Sequence, residues 1–222
     1  MVMELYHVLN RGVDRRNIYM DAGDRVRFVH NLYEFNDVES ADKTFRRVMD
    51  DFVSRPLKRE RLVDIHGWCL MDNHYHLLIS EIAEGGMTLF LRKLNIGYAK
   101  FFNEKYHREG ALFQGRTKKV LIENDAQFLY ILHYIHLNAL DFLHSARDWR
   151  VRDYHNIKSA RAALDYLKDY RWSSYQDYIG KKNFPSIIKT QFFDQAYGNY
   201  YNSVSDFLRS AEDDDHTSLH LE

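Results

Sequence analysis

Ile65-His66-Gly67-Trp68-Cys69-Leu70-Met71-Asp72-Asn73-His74-Tyr75-His76-Leu77-Leu78-Ile79-Ser80 decides how the rest of the chain is read. Ile65 to Met71 is an apolar run interrupted only by His66 and Gly67, and its length suits a buried strand. Asp72-Asn73 is turn chemistry and the apolar run resumes from His74, so the two runs form a hairpin whose second strand begins at that histidine. Period-2 alternation then puts His74 and His76 on one face, roughly 6.5–7 Å apart along the strand and able to converge on one ion. Two half-buried strand histidines with no ion would show the same spacing. The rest of the chain must decide between these readings.

Upstream, Leu5-Tyr6-His7-Val8-Leu9-Asn10 reads as a strand ended by Arg11-Gly12. A basic loop with Arg15 and Arg16 follows, then a helix from Gly23 to Phe35 with Val26, Val29 and Phe35 toward the core. Residues 36–61 are more polar. Phe45, Val48, Met49 and Phe52 keep helical spacing there, Pro56 breaks it, and Arg55, Lys58, Arg59 and Arg61 form a basic cluster that reads as a solvated face. Downstream, Gly85-Gly86 opens a helix to about Tyr106, with Met87, Leu91, Leu94, Tyr98, Phe101 and Phe102 as one apolar stripe. Phe113 to Ile122 reads as loop into strand, and Asn124 or Asp125 caps a further helix over about 126–140.

The order strand, helix, strand, strand, helix, strand predicts an α+β fold. Its ferredoxin-like split βαβ core would be a four-stranded antiparallel sheet with helices on one face and the other face free. Ser159 to Tyr170 and Ser203 to Arg209 predict a helical C-terminal extension. Residues 1–141 thus read as the main domain with a polar helical insertion at about 36–61. Residues 142–211 read as an extension packed on it, and residues 212–222 as an acidic, disordered tail.

Bulk properties narrow the class. The 222 residues are 45% hydrophobic, ample for one well-packed domain with an extension. The lone cysteine, Cys69, excludes a disulfide framework and points to a reducing compartment. No long apolar run or charged-then-apolar leader is present, so the expected location is the cytoplasm, with no membrane partner. The formal net charge of −1 conceals an uneven distribution: residues 206–222 hold six acidic side chains and one basic, a net of −5, leaving +4 on residues 1–205. Such a body is compatible with nucleic acid.

The helix after the fourth strand carries a second constellation. Phe128, Ile131, Leu132, Ile135 and Ala139 make a core stripe, and Gln127, Tyr130, Tyr134 and Asn138 run beside it. Tyr134 and Asn138 are four apart, which stands a phenol and an amide one turn apart on one face.

Five stretches, in order, resemble the single-tyrosine HUH transposases, and within them the REP-associated tyrosine transposases. They are Tyr6-His7-Val8-Leu9-Asn10-Arg11-Gly12, Met71 to Ile79, Leu112-Phe113-Gln114-Gly115-Arg116, Tyr134-Ile135-His136-Leu137-Asn138 and Trp172-Ser173-Ser174-Tyr175, spanning about 170 residues. The resemblance implies that His74, His76 and Asn138 hold Mg²⁺ or Mn²⁺ and that Tyr134 attacks single-stranded or hairpin DNA to form a 5′-phosphotyrosine. It implies a metal-dependent transposase working without ATP, as a monomer or homodimer. Arg11, Arg15, Arg16, Arg116, Lys118 and Lys119 are the candidates for holding the DNA backbone.

The chain departs from the family pattern at Ala139, Leu140 and Asp141, where a proline and then a basic residue are usual, and at Tyr75, where an aliphatic residue is usual. A hairpin-binding protein that has lost strand transfer is therefore a second reading. A replication- or conjugation-type HUH nickase is a third, disfavoured because Tyr134 follows the histidine pair.

Overall fold

A computed structural model describes residues 4–39, 59–146, 149 and 159–209. The helical segment expected within 40–58 and the acidic tail lie outside the described residues. Strands β1 (Leu5–Arg11), β2 (Val63–Leu70), β3 (His74–Glu81) and β4 (Lys118–Leu121) form one sheet in the order β2-β3-β1-β4, every neighbouring pair antiparallel. Helix α1 (Ala22–Glu34) joins β1 to β2, and α2 (Gly86–Lys105) joins β3 to β4. The expected α+β split βαβ core is the observed one.

Asp21 and Asp24 form a capping box that starts α1, and buried Asp24 also pairs with Lys105 Nζ at 2.7 Å, so the start of α1 is tied to the end of α2. Both crossover helices lie on one face of the sheet. Val8, Ile65, Trp68, Tyr75, Leu77 and Ile79 meet Phe28, Leu32, Phe90, Leu94 and Tyr98 in one core there. Val26, expected to face that core, is 47% exposed; the inward line of α1 runs instead through Phe28, Val29 and Leu32.

The second face is not free. After β4, α3 (Asp125–Leu137), whose N-cap is Asn124, lays Ile131, Leu132 and Ile135 on Leu5, Cys69 and Leu78. A 3₁₀ run, Asn138–Phe142, leads away from it. The C-terminal helices α4 (Ala160–Asp169), α5 (Tyr175–Tyr178), α6 (Gln191–Tyr197) and α7 (Tyr200–Arg209) complete the same core through Leu164, Leu167, Phe193, Tyr200 and Val204. The helices on this side are short or irregular, which is why the sequence pattern shows only two of the four.

Two glycines make the layers fit. A Cβ on Gly67 would stand 2.8 Å from Leu132 Cδ1, at the β-bulge between Ile65 and Gly67 where α3 crosses β2. A Cβ on Gly12 would stand 2.4 Å from Arg16 O, so the loop after β1 closes only around a bare backbone. The outer edge of β2 is covered as well. Leu70 N donates to Trp172 O at 2.9 Å, Ser174 N to Trp68 O at 2.9 Å and Lys189 N to Ile65 O at 2.8 Å. Among the described residues no helix is long and apolar enough to cross a membrane.

Candidate functional site

The hairpin turn is closed by Met71 N donating to His74 O at 2.8 Å, and its carbonyls are pinned by Gly12 N on Asn73 O and Ile18 N on Asp72 O. The start of β3 is therefore fixed by the loop after β1. His74 and His76 share the α3 face, their rings 4.8 Å apart at 77°. Tyr75 between them points to the other face, where its hydroxyl donates to Asn95 Oδ1 at 2.9 Å. Its bulk is absorbed by α1 and α2, away from the histidines.

A third histidine belongs to this cluster. In the β1–β3 register Leu9 faces His76 and His7 faces Leu78, so His7 is the diagonal neighbour of His76 on the same face. Its Nε2 lies 2.9 Å from His76 Nδ1 and the two rings stack at 5.1 Å and 7°. Both are fully buried. Sequence reasoning did not make His7 a site residue because its neighbour across the sheet is 69 residues away; the available signals are its place in the first of the five motifs and the strand parity it shares with Leu5 and Leu9.

Tyr134 approaches this stacked pair edge-on, its ring centroid 5.8 Å from His7 and 5.9 Å from His76. Trp149 and Tyr130 flank it at 5.9 and 6.0 Å. The flanking stripe of α3 thus meets the histidine face of the sheet. Asn138 is fully buried one turn on, with Nδ2 donating to Tyr134 O at 2.7 Å, a bond that also closes the end of the helix. Ala139 and Leu140 are core residues, and Asp141 Oδ1 accepts from Trp149 Nε1 at 2.9 Å.

The imidazoles fit a metal. Asn73 Oδ1, 2.6 Å from His74 Nδ1, can only accept, so that nitrogen carries the proton and the lone pair sits on Nε2. A proton on His76 Nδ1, donated to His7 Nε2, leaves its Nε2 as acceptor in the same way. A second hydrogen bond that fixes tautomer and ring orientation is the usual accompaniment of a ligating histidine. Among the described residues no group of three or more His, Cys, Asp or Glu has metal-site geometry, so a closed Cys/His zinc site is not built here.

The basic candidates separate by strand parity. Arg11 stands directly opposite His74 in the β1–β3 register and Lys118 opposite Leu9, both on the tyrosine face. Lys119 points the other way and its Nζ donates to Thr88 Oγ1 at 3.1 Å. Arg15 and Arg16 lie in the turn whose Arg15 carbonyl accepts from Asn73 Nδ2 at 3.1 Å, beside the entry to β3. Arg116 is exposed in the loop before β4.

Comparison of the fold with solved structures finds similarity to a REP-associated tyrosine transposase bound to a REP hairpin, with a TM-score of 0.45, 13% identity, and coverage of 84% of this chain and 85% of that one. No family model and no characterised protein matches the chain in sequence.

Proposed function

We propose that this chain is a transposase-type DNA endonuclease and strand transferase that cleaves and rejoins single-stranded or hairpin DNA, with Tyr134 as nucleophile. The observation that carries this reading is the meeting of the Tyr134 ring, edge-on, with the stacked His7–His76 pair beside His74, a phenol against an imidazole cluster. The five ordered sequence motifs support it independently.

His74, His76 and the amide oxygen of Asn138 would hold Mg²⁺ or Mn²⁺. Such an ion supplies Lewis-acid stabilisation of charge growing on a non-bridging phosphate oxygen, and a free tyrosine needs that help because only about 0.1% is phenolate at pH 7. The remaining work belongs to the chain. Tyr134 Oη bonds to phosphorus, the P–O3′ bond breaks, and the phenolic proton ends on the departing oxygen, giving a 5′-phosphotyrosine and a free 3′-OH. A second 3′-OH reverses the step without ATP. His7 keeps the His76 ring turned, Asn138 holds the last turn of α3 closed, and Arg11 and Lys118, on the same face, would make phosphate contacts that set register.

Hairpin binding without strand transfer is the second reading, favoured by one observation: positions 139–141 offer two core side chains and a carboxylate tied to Trp149 instead of a basic group. One substitution separates the two. Tyr134→Phe removes a hydroxyl and keeps the ring, so the variant folds with stability within about 1 kcal/mol of the parent and forms no covalent adduct with labelled hairpin DNA and Mn²⁺. An adduct in the variant transfers the role to Tyr130; no adduct in the parent leaves the binding reading.

A further inference from the structure

We propose that the cleft formed by Arg25, Phe142, Tyr166, Tyr170, Arg171 and Trp172 holds an unpaired DNA base next to the tyrosine site, an inference that rests on the reading of the chain as a DNA transesterase. The cleft has a volume of about 350 Å³ and also touches Asp72 and Asp169. That is the lower end of small-molecule sites, suited to one nucleotide and too small for a folded partner.

Its walls are flat rings with guanidinium groups beside them. Phe142 and Tyr170 stack at 5.7 Å and 29°, and Tyr166 and Tyr170 at 5.9 Å and 23°. Arg25 lies 5.9 Å and Arg171 5.0 Å from the Trp172 ring. Arg25 is anchored to Asp72 at 2.6 Å, whereas Arg171 is exposed and forms no ion pair among the described residues. Phe142 is 38% exposed, an unusual position for a phenylalanine that only fills space. Rings that present a face, with cations at the rim, are the recognition chemistry of single-stranded nucleic acid, where bases stack and phosphates meet arginine.

Position ties the cleft to the tyrosine site. Asp72 precedes His74 by two residues, at most about 7 Å of chain. Phe142 follows Asn138 by four residues of 3₁₀ helix, about 8 Å. The cleft is thus bounded by the turn that leads into the histidine pair and by the segment that leaves the tyrosine helix. It also accounts for Trp172 in the Trp172-Ser173-Ser174-Tyr175 motif: Ser173 and Ser174 bind the edge of β2, and that attachment holds the indole at the mouth.

The test uses a hairpin with a single-stranded flank and the same DNA with one base removed at each flank position in turn, measured by anisotropy on the full chain. For the parent, one abasic position weakens binding about 10-fold. In Phe142→Ala and in Arg171→Ala, both exposed positions with little bearing on folding, the gap between intact and abasic DNA shrinks to about twofold. Binding of the intact flank also quenches a tryptophan signal that is absent in Trp172→Phe. An undiminished abasic penalty in both variants, or no abasic position that matters, overturns the inference alone. A free mononucleotide that binds as tightly as the flank overturns the assignment to a DNA strand. Failure of the parent to bind any of these DNAs overturns the proposed function as well.

Discussion

The two faces of the sheet are built on different principles. Against α1 and α2 the core is aromatic: Tyr19, Phe28, Tyr75, Tyr98 and Phe102 pack ring on ring, no histidine is buried among them, and the buried polar groups Asp24 and Asn36 serve the helix start and the entry to β2. Beneath α3 and the C-terminal helices five histidines among the described residues are buried, His7, His66, His76, His133 and His136. Each has a partner. His66 Nε2 meets Ser80 Oγ at 2.8 Å, His133 Nε2 meets Ser203 Oγ at 3.1 Å, and His136 spans Tyr200 Oη at 2.8 Å and Ser174 Oγ at 2.7 Å. A buried polar ring is tolerated only when bonded, so the second face depends on imidazole hydrogen bonds where the first depends mainly on ring packing. One sheet thus separates a layer of packed aromatic rings from the layer that carries the proposed site.

The sharpest way to break this contrast is to remove the imidazoles of the histidine-bearing face. His74→Ala and His76→Ala are each expected to abolish Mn²⁺-dependent cleavage and to lose measurable Mn²⁺ binding in calorimetry, because imidazole is a stronger donor than the water that would replace it. Asn138→Ala weakens cleavage less, and costs about 1 kcal/mol of stability besides, since its Nδ2 bond to Tyr134 O goes with it. Unchanged Mn²⁺ affinity in both histidine variants rules the site out.

Acid should attack one face and spare the other. Burial lowers His66 and His133 to about 4 and holds His136 well below its usual value. The folded chain therefore prefers these rings neutral, and the unfolded chain takes up the protons first. Stability is full above the ordinary histidine pKa near 6.5 and falls as pH drops toward 4, by about 3 kcal/mol for each of His66 and His133. Urea unfolding at several pH values in that window reads the slope directly. Hydrogen exchange should show α3 and α7 loosening before α1 and α2, and simultaneous loss would mean the two layers are one cooperative unit.

A smaller effect is expected at His7. His7→Leu removes the acceptor for His76 Nδ1 and should weaken Mn²⁺ binding about 10- to 100-fold, while His7→Gln, which keeps an acceptor, recovers part of it. Equal affinities for Leu and Gln would reduce His7 to packing. Least bearing on the histidines has Gly67→Ala, whose Cβ meets Leu132; about 1–3 kcal/mol of stability should be lost by thermal unfolding. The strain falls where α3 crosses β2, so Tyr134 loses its rigid seat.

Local patterns carried much of this into the sequence. Alternation sufficed to pair His74 with His76, and helical spacing sufficed to put Tyr134 beside the core stripe of α3. What alternation could not supply was the order of the strands. His7 reaches His76 only because β1 pairs directly with β3, between it and β4; alternation puts the adjacent Lys118 and Lys119 on opposite faces, but only the sheet order says which of the two shares a face with Tyr134. The covering of the second face was illegible because it is made of short helices, among them the four-residue α5 and seven-residue α6, whose apolar residues have no period long enough to read.

The attachment of Trp172, Ser174 and Lys189 along β2 has a bearing on solubility. Without it the sheet would end in eight residues, Val63–Leu70, all buried now and presenting unpaired amides to any passing strand. The opposite border needs no such cover, being only four residues long and beginning with two lysines. Natural sheets blunt their borders in both ways, by shortness and charge or by overlay. A chain shortened to end before residue 172 would therefore keep all four strands and aggregate through β2.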